Sequence, residues 1–258
     1  MFELNKLVTT KPAPCSGVAP VTPPRCRLLS VVVRQAHTDV AERIRRVRHR
    51  TPRYVCARTR QMLYERGHPD APWLTPEATR LLGRMLLPSD RGLEFGSGRS
   101  TVWFAERVSH LTSVEHDERW YAEVSGRLKE RALSNVDYIL APLDEPDGRG
   151  GGSEYARAAL AFADSSIDFA LIDGAYRDHT ARYTLPRIKP GGMLIIDNVQ
   201  WYLPSNSRAP NSRTPALGPR GEIWAGIARD LAGWRRIWTS SGVWDTAIFV
   251  RPGPPPAA

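Results

Sequence analysis

The chain has 258 residues, 41% hydrophobic and 24% charged, which suits one sizeable soluble α/β domain, argues against global disorder and leaves little room for two full domains. Its formal charge of +9 is lopsided: residues 1–92 hold 17 Lys/Arg against 7 Asp/Glu, while the remaining 166 hold 19 against 20. Basicity therefore belongs to the N-terminal third, and the rest is near neutral.

Residues 1–36 are Pro-rich ("KPAPCSGVAPVTPPRCR") and read as a disordered tail. The apolar run "LLSVVV" is too short for a signal-peptide core, and no later stretch approaches a membrane span, so a cytoplasmic protein without a membrane partner is expected. Cys15, Cys26 and Cys56 form no CxxC and have no His at metal-ligand spacing; they read as incidental thiols of a reducing compartment.

Residues 37–89 read as a basic helical segment. It comprises "TDVAERIRRVRHR", then "PRYVCARTRQMLYERG" with apolar Val55, Met62 and Leu63, then "TPEATRLLGRMLL" opening on a Thr cap. The dense run Glu42–Arg60 suits either phosphate contacts or a solvated Arg-rich face.

From residue 90 to 252 strand and helix patterns alternate, the signature of a parallel sheet covered on both faces. Strands are expected at 92–95, 111–115, 136–140, 168–172 and 192–196, with helices near 99–108, 117–132, 154–163 and 178–188. Gly-rich 147–152 and Pro-rich 203–221 read as loops, the longer one a lid or binding segment. A helix (222–233), the strand "WRRIWT", a short turn and the strand "WDTAIFV" close the domain, and 253–258 reads as a tail.

The turn "LEFGSG" follows a strand and opens a helix, so Gly96, Ser97 and Gly98 form a bend that a ligand can approach closely. A dinucleotide fingerprint has glycine where this chain has Thr101, and Glu94 would repel diphosphate while suiting a cationic amine. Glu115 ends the next strand, placed to accept ribose hydroxyls. The ligand so described has a ribose, a positive group and no phosphate.

These residues resemble the class I S-adenosylmethionine-dependent methyltransferases, through "EFGSG", "SVEHD", "PRIKPGGMLIIDN" and the terminal strand pair. The resemblance implies a Rossmann-like, mostly parallel seven-stranded sheet with a reversed terminal strand. It implies that Glu94, Gly96, Ser97 and Gly98 hold the methionine end of S-adenosylmethionine and Glu115 its ribose. His116 is either a neighbour of the adenine or a surface residue of the first helical turn; Asp144 and Glu145 are the remaining candidates for the adenine.

Chemistry in such sheets lies outside the carboxyl ends of the strands. Asp173 ends the fourth strand, and Asp197 and Asn198 the fifth. The trio is similar to that of catechol-type O-methyltransferases, which implies Mg²⁺ gathering the acceptor's oxygens. Where that family has Lys after the first Asp, this chain runs Gly174, Ala175, Tyr176, Arg177. The alternative leaves Asp173 to the cofactor or a helix start, with Asp197 and Asn198 capping a turn. A metal-free route uses His179 as general base, unless it is a solvated surface residue. Trp201 and Tyr202 either wall the acceptor or anchor the loop after them.

The expected function is S-adenosylmethionine-dependent methylation of a small-molecule acceptor, most readily at oxygen. Alternatives are an RNA, DNA or protein acceptor recruited by the basic N-terminal helices, a non-catalytic binding module, and an NAD-type oxidoreductase. Self-association into a homo-oligomer is left open.

Overall fold

A computed structural model describes residues 51–144 and 150–253, together with His49. The expected tail at 1–36, the helical run at 38–48, residues 254–258, Cys15, Cys26, Glu145 and residues 147–149 lie outside these described residues.

Helices α1 (Pro52–Gly67) and α2 (Pro76–Met85) each start as the sequence dictates, with a threonine cap followed by proline. Thr51 accepts from the Tyr54 N–H and Thr75 from that of Ala78. In α1, however, Val55, Met62 and Leu63 point outward, and the buried side is Ala57 and Gln61.

Strands β1 (Arg91–Phe95), β2 (His110–Glu115), β3 (Val136–Leu140), β4 (Ile167–Ile172) and β5 (Ile188–Asp197) run parallel. Between them lie α3 (Arg99–Ala105), α4 (Glu118–Glu130), the four-residue α5 (Glu154–Arg157) and α6 (Arg177–Thr184). After β5 come α7 (Gly221–Asp230), β6 (Arg235–Ser240) and β7 (Asp245–Val250).

The sheet order is β3-β2-β1-β4-β5-β7-β6, with β7 antiparallel to both neighbours. This is the Rossmann-like sheet with a reversed terminal strand that the sequence implied. Two expectations need correction. Strand β5 begins at Ile188 and carries Pro190 and Gly191 across a register shift, and the helix expected over 154–163 gives way after Arg157 to a 3-10 turn.

Side chains alternate across the strands and make two cores. Phe95, Ile172, Leu194 and Ile196 meet Tyr155, Ala181, Trp224 and Ile227 on one face. Phe169, Leu171, Met193 and Ile195 meet Leu82, Trp103 and Phe104 on the other. Burying each such large side chain contributes roughly 1.5–3 kcal/mol. That fixes the strand ends, and hence the residues just beyond them.

Candidate active site

The bend after β1 is held by a relay of hydrogen bonds. The Gly98 N–H donates to Thr101 Oγ1 (2.9 Å), whose own proton goes to Glu94 Oε2 (2.6 Å). Ser113 on β2 donates to the same oxygen (2.6 Å). Thr101, at the position where a dinucleotide fingerprint has glycine, is therefore the residue that fixes the turn. Gly96 has φ +88°, and a Cβ there would lie 2.7 Å from the backbone of Gly174 and 2.9 Å from the carbonyl carbon of Asp173. The ends of β1 and β4 touch at this glycine, and no other residue fits.

Glu94 is fully buried, and burial pushes its carboxyl up to about 7, against the hydrogen bonds that hold it down. Burial therefore works against the negative charge that the sequence suggested at this bend. Thr101 and Ser113 both donate to Oε2, and the nearby Ser100 hydroxyl also holds the pKa down; Oε1 makes no hydrogen bond of ordinary geometry among the described residues and is the oxygen left to meet an incoming ammonium.

Glu115 lies at the end of β2 as expected, and behaves oppositely. Burial opposes its charge, but donors outweigh it and bring the carboxyl down to about 2. Oε2 accepts from the Ser97 N–H (2.9 Å) and hydroxyl (2.7 Å), and Oε1 from the N–H groups of His116 (2.7 Å) and Asp117 (2.9 Å). His116 Nδ1 lies 3.0 Å from Oε1, and Glu115 raises its pKa. The ring sits edge-on to Tyr155 at 5.5 Å. Ser97 Oγ also meets Tyr138 Oη (2.6 Å), and its carbonyl accepts from Trp120 Nε1 (2.7 Å). Tyr138 and Trp120 escaped the sequence analysis, because aromatic residues on a strand and a helix carry no spacing that points to a loop.

Asp173, Asp197 and Asn198 do converge beyond β4 and β5, around the guanidinium of Arg177. Nε donates to Gly174 O (2.9 Å), Nη1 to Asp197 O (2.7 Å) and Asn198 Oδ1 (3.2 Å), and Nη2 to Asp173 O (2.6 Å) and Oδ1 (2.8 Å). All five N–H groups are used. Asp197 Oδ1 in turn accepts from Thr246 Oγ1 (2.6 Å). Burial raises the pKa of both carboxyls; the nearby Asp173 pushes Asp197 further up, and Arg177 offsets part of the rise at Asp173.

This donor set does not fit Mg²⁺. A dication beside Asp173 would sit against a guanidinium already filling the space between the strand ends, and burial works against charge on both carboxyls. Among the described residues no three His, Cys, Asp or Glu side chains are grouped as a metal site.

A cleft of about 440 Å³ opens over these strand ends. Asp173, Asp197 and Asn198 line it from the sheet, Arg58 and Glu65 from α1, Arg99 from the start of α3, and Trp73 and Trp244 from loops. Arg58 and Glu65 approach to 3.9 Å, and Arg99 lies 5.3 Å from the Trp73 ring centre. Trp244 Nε1 is buried without a partner.

His179 packs against Gly151 and is not among the residues lining this cleft. Trp201 is also outside the lining, and Tyr202 stacks on Trp224 at 4.7 Å, so it anchors the following loop. Asp144 accepts from the Glu154 N–H (3.3 Å).

Residues 93–199 match the family model of a methyltransferase domain. No curated protein matches the chain. Among solved structures, a methyltransferase-like protein from Silicibacter pomeroyi shares 22% identity over 72% of this chain and 91% of its own, with a TM-score of 0.49. An rRNA methylase from Streptococcus thermophilus shares 11% over 68% and 93% (TM-score 0.45). A Streptococcus mutans protein in complex with S-adenosylhomocysteine shares 10% over 66% and 93% (TM-score 0.42).

Proposed function

From the match of residues 93–199 to a methyltransferase domain, within a seven-stranded sheet that runs from Arg91 to Val250, we propose that the chain is an S-adenosylmethionine-dependent methyltransferase that methylates an oxygen of a small or medium-sized metabolite seated in the cleft over β4 and β5. S-adenosylmethionine supplies an activated methyl group on a sulfonium. Glu94 Oε1 and the bend at Gly96–Gly98 are the groups suited to its amino-acid end, and Glu115 to its ribose.

The observation that carries this reading is the contact between Gly96 and Asp173. Because the bend meets the lining of the cleft there, a donor at the one would lie beside an acceptor in the other. Positioning alone can supply much of the rate in such a reaction.

The unpartnered Trp244 N–H in the cleft wall suits an acceptor oxygen. Asp173 and Asp197 are the carboxyl groups at hand to take the proton that the acceptor hydroxyl loses. No step requires a metal.

Isothermal titration with S-adenosylhomocysteine tests the cofactor, and a metabolite-extract screen with labelled S-adenosylmethionine tests the acceptor. Heat with S-adenosylhomocysteine and label in an alkali-stable methyl ether support the reading. Binding of NADH in its place, or label transferred only to nitrogen, overturns it.

A further inference from the structure

A second cleft, of about 570 Å³, draws on two of the elements that line the first, α1 and the β6–β7 hairpin, with no described lining residue in common. Arg53 on α1 stands five residues before Arg58, about 7.5 Å along the helix. Ser240 and Trp244 flank the turn between β6 and β7, and the segment Pro204–Arg208 follows β5 after an intervening turn at Val199–Trp201.

Three arginines, Arg53, Arg208 and Arg236, line this second cleft with Ser205, Asn206 and Trp238, and no carboxylate is among its lining residues. Among the described residues none of these three takes part in an ion pair; other exposed arginines such as Arg60 and Arg84 share that condition, and what sets these three apart is that they line one cleft. The Arg236 guanidinium lies 5.6 Å from the Trp238 ring centre, which holds it in place without neutralising it. Ser205 Oγ accepts from the Ser207 N–H (3.2 Å), leaving its own proton to donate.

Planar guanidinium groups that line one cleft, with no carboxylate among its described lining residues, suit the oxygens of a phosphate. We propose that this cleft binds the phosphate group of a phosphomonoester acceptor, with Arg53, Arg208 and Arg236 as its partners. The proposal rests on the reading of the neighbouring cleft as the seat of the methylated oxygen. A longer nucleic-acid strand would need basic groups beyond this cleft, and the adjoining one carries Glu65, Asp173 and Asp197 alongside Arg58 and Arg99.

Titration calorimetry of the full chain with inorganic phosphate, with phenyl phosphate and with a short single-stranded oligoribonucleotide tests this, each with and without S-adenosylhomocysteine. Phenyl phosphate should bind more tightly than inorganic phosphate. Arg208→Gln and Arg236→Gln, both exposed substitutions, should each weaken it at least tenfold, and Arg84→Gln on α2 should leave it unchanged. If S-adenosylhomocysteine binds but phenyl phosphate does not, or binds all variants alike, the phosphate site is overturned and the methyltransferase reading stands. Arginine-dependent binding of the oligonucleotide alone also overturns it. Absence of S-adenosylhomocysteine binding counts against the cofactor reading separately.

Discussion

Arg177 Nη2 and Asp173 Oδ1 lie 2.8 Å apart, four residues apart on the chain, at the place where the sequence suggested a metal ion. Activity should therefore be the same in EDTA and in added Mg²⁺. Arg177→Met should destabilise the fold by about 3 kcal/mol in urea unfolding, because it strands a carboxylate and three carbonyl oxygens. A requirement for Mg²⁺ in the unaltered enzyme would contradict this account.

Glu115 is expected to serve both the loop and the ligand. Glu115→Ala should weaken S-adenosylhomocysteine binding by about 1–3 kcal/mol, measured by calorimetry, since it orphans the N–H groups of Ser97, His116 and Asp117 as well as ribose hydroxyls. Its carboxyl is lowered from 4.5 to about 2 in the fold, so the stability it gives is present above pH 4.5 and is lost as pH falls toward 2. The Ala variant should lack that part of the acid dependence in thermal melts.

Glu94 should titrate in the opposite sense. With its carboxyl raised from 4.5 to about 7, its contribution is full below pH 4.5 and is lost as pH rises through 7. Glu94→Gln keeps the shape and removes the ionisation. Its melting temperature should gain on that of the unaltered protein between pH 5 and 8, on the order of 3 kcal/mol by the upper end. If an ammonium docks at Oε1, binding of S-adenosylhomocysteine at pH 7 should also release about half a proton, read from calorimetry in buffers of different ionisation enthalpy.

Gly96→Ala and Gly191→Ala together isolate the contact on which the proposed transfer depends. Both glycines have positive φ, +88° and +81°, but a Cβ at 191 meets nothing within 4 Å, whereas one at 96 meets Gly174. Gly191→Ala should cost about 1 kcal/mol of stability. Gly96→Ala should cost at least about 2 kcal/mol and abolish cofactor binding; equal behaviour of the two would show that β1 and β4 do not touch there.

The strands were legible because buried parallel strands read as short apolar runs between glycine and polar punctuation, and the acidic residues ending β1, β2, β4 and β5 stand out against them. Outward-facing α1 misled the pattern: Val55, Met62 and Leu63 share a helical face, yet the inward side uses Ala57 and Gln61, whose amide donates to Glu65 Oε1 (3.2 Å). The fifth strand was expected only from residue 192, after the Pro-Gly-Gly run, yet β5 starts at Ile188 and carries Pro190 where its register shifts. Arg177 was hidden for a deeper reason. Three of its five acceptors are main-chain carbonyls, which exist at every position and leave no trace in residue types. Trp73 and Trp244 belong to segments that only the finished sheet brings together.

The guanidinium of Arg177 grips carbonyl oxygens of Asp173, Gly174 and Asp197, so the floor of the crevice is tied through the main chain, while Arg58, Trp73 and Trp244 descend from three separate surface segments. Such a division separates what must persist from what can be exchanged. A lineage built on this scaffold can trade its wall residues, and with them its clientele, while the seam beneath stays closed.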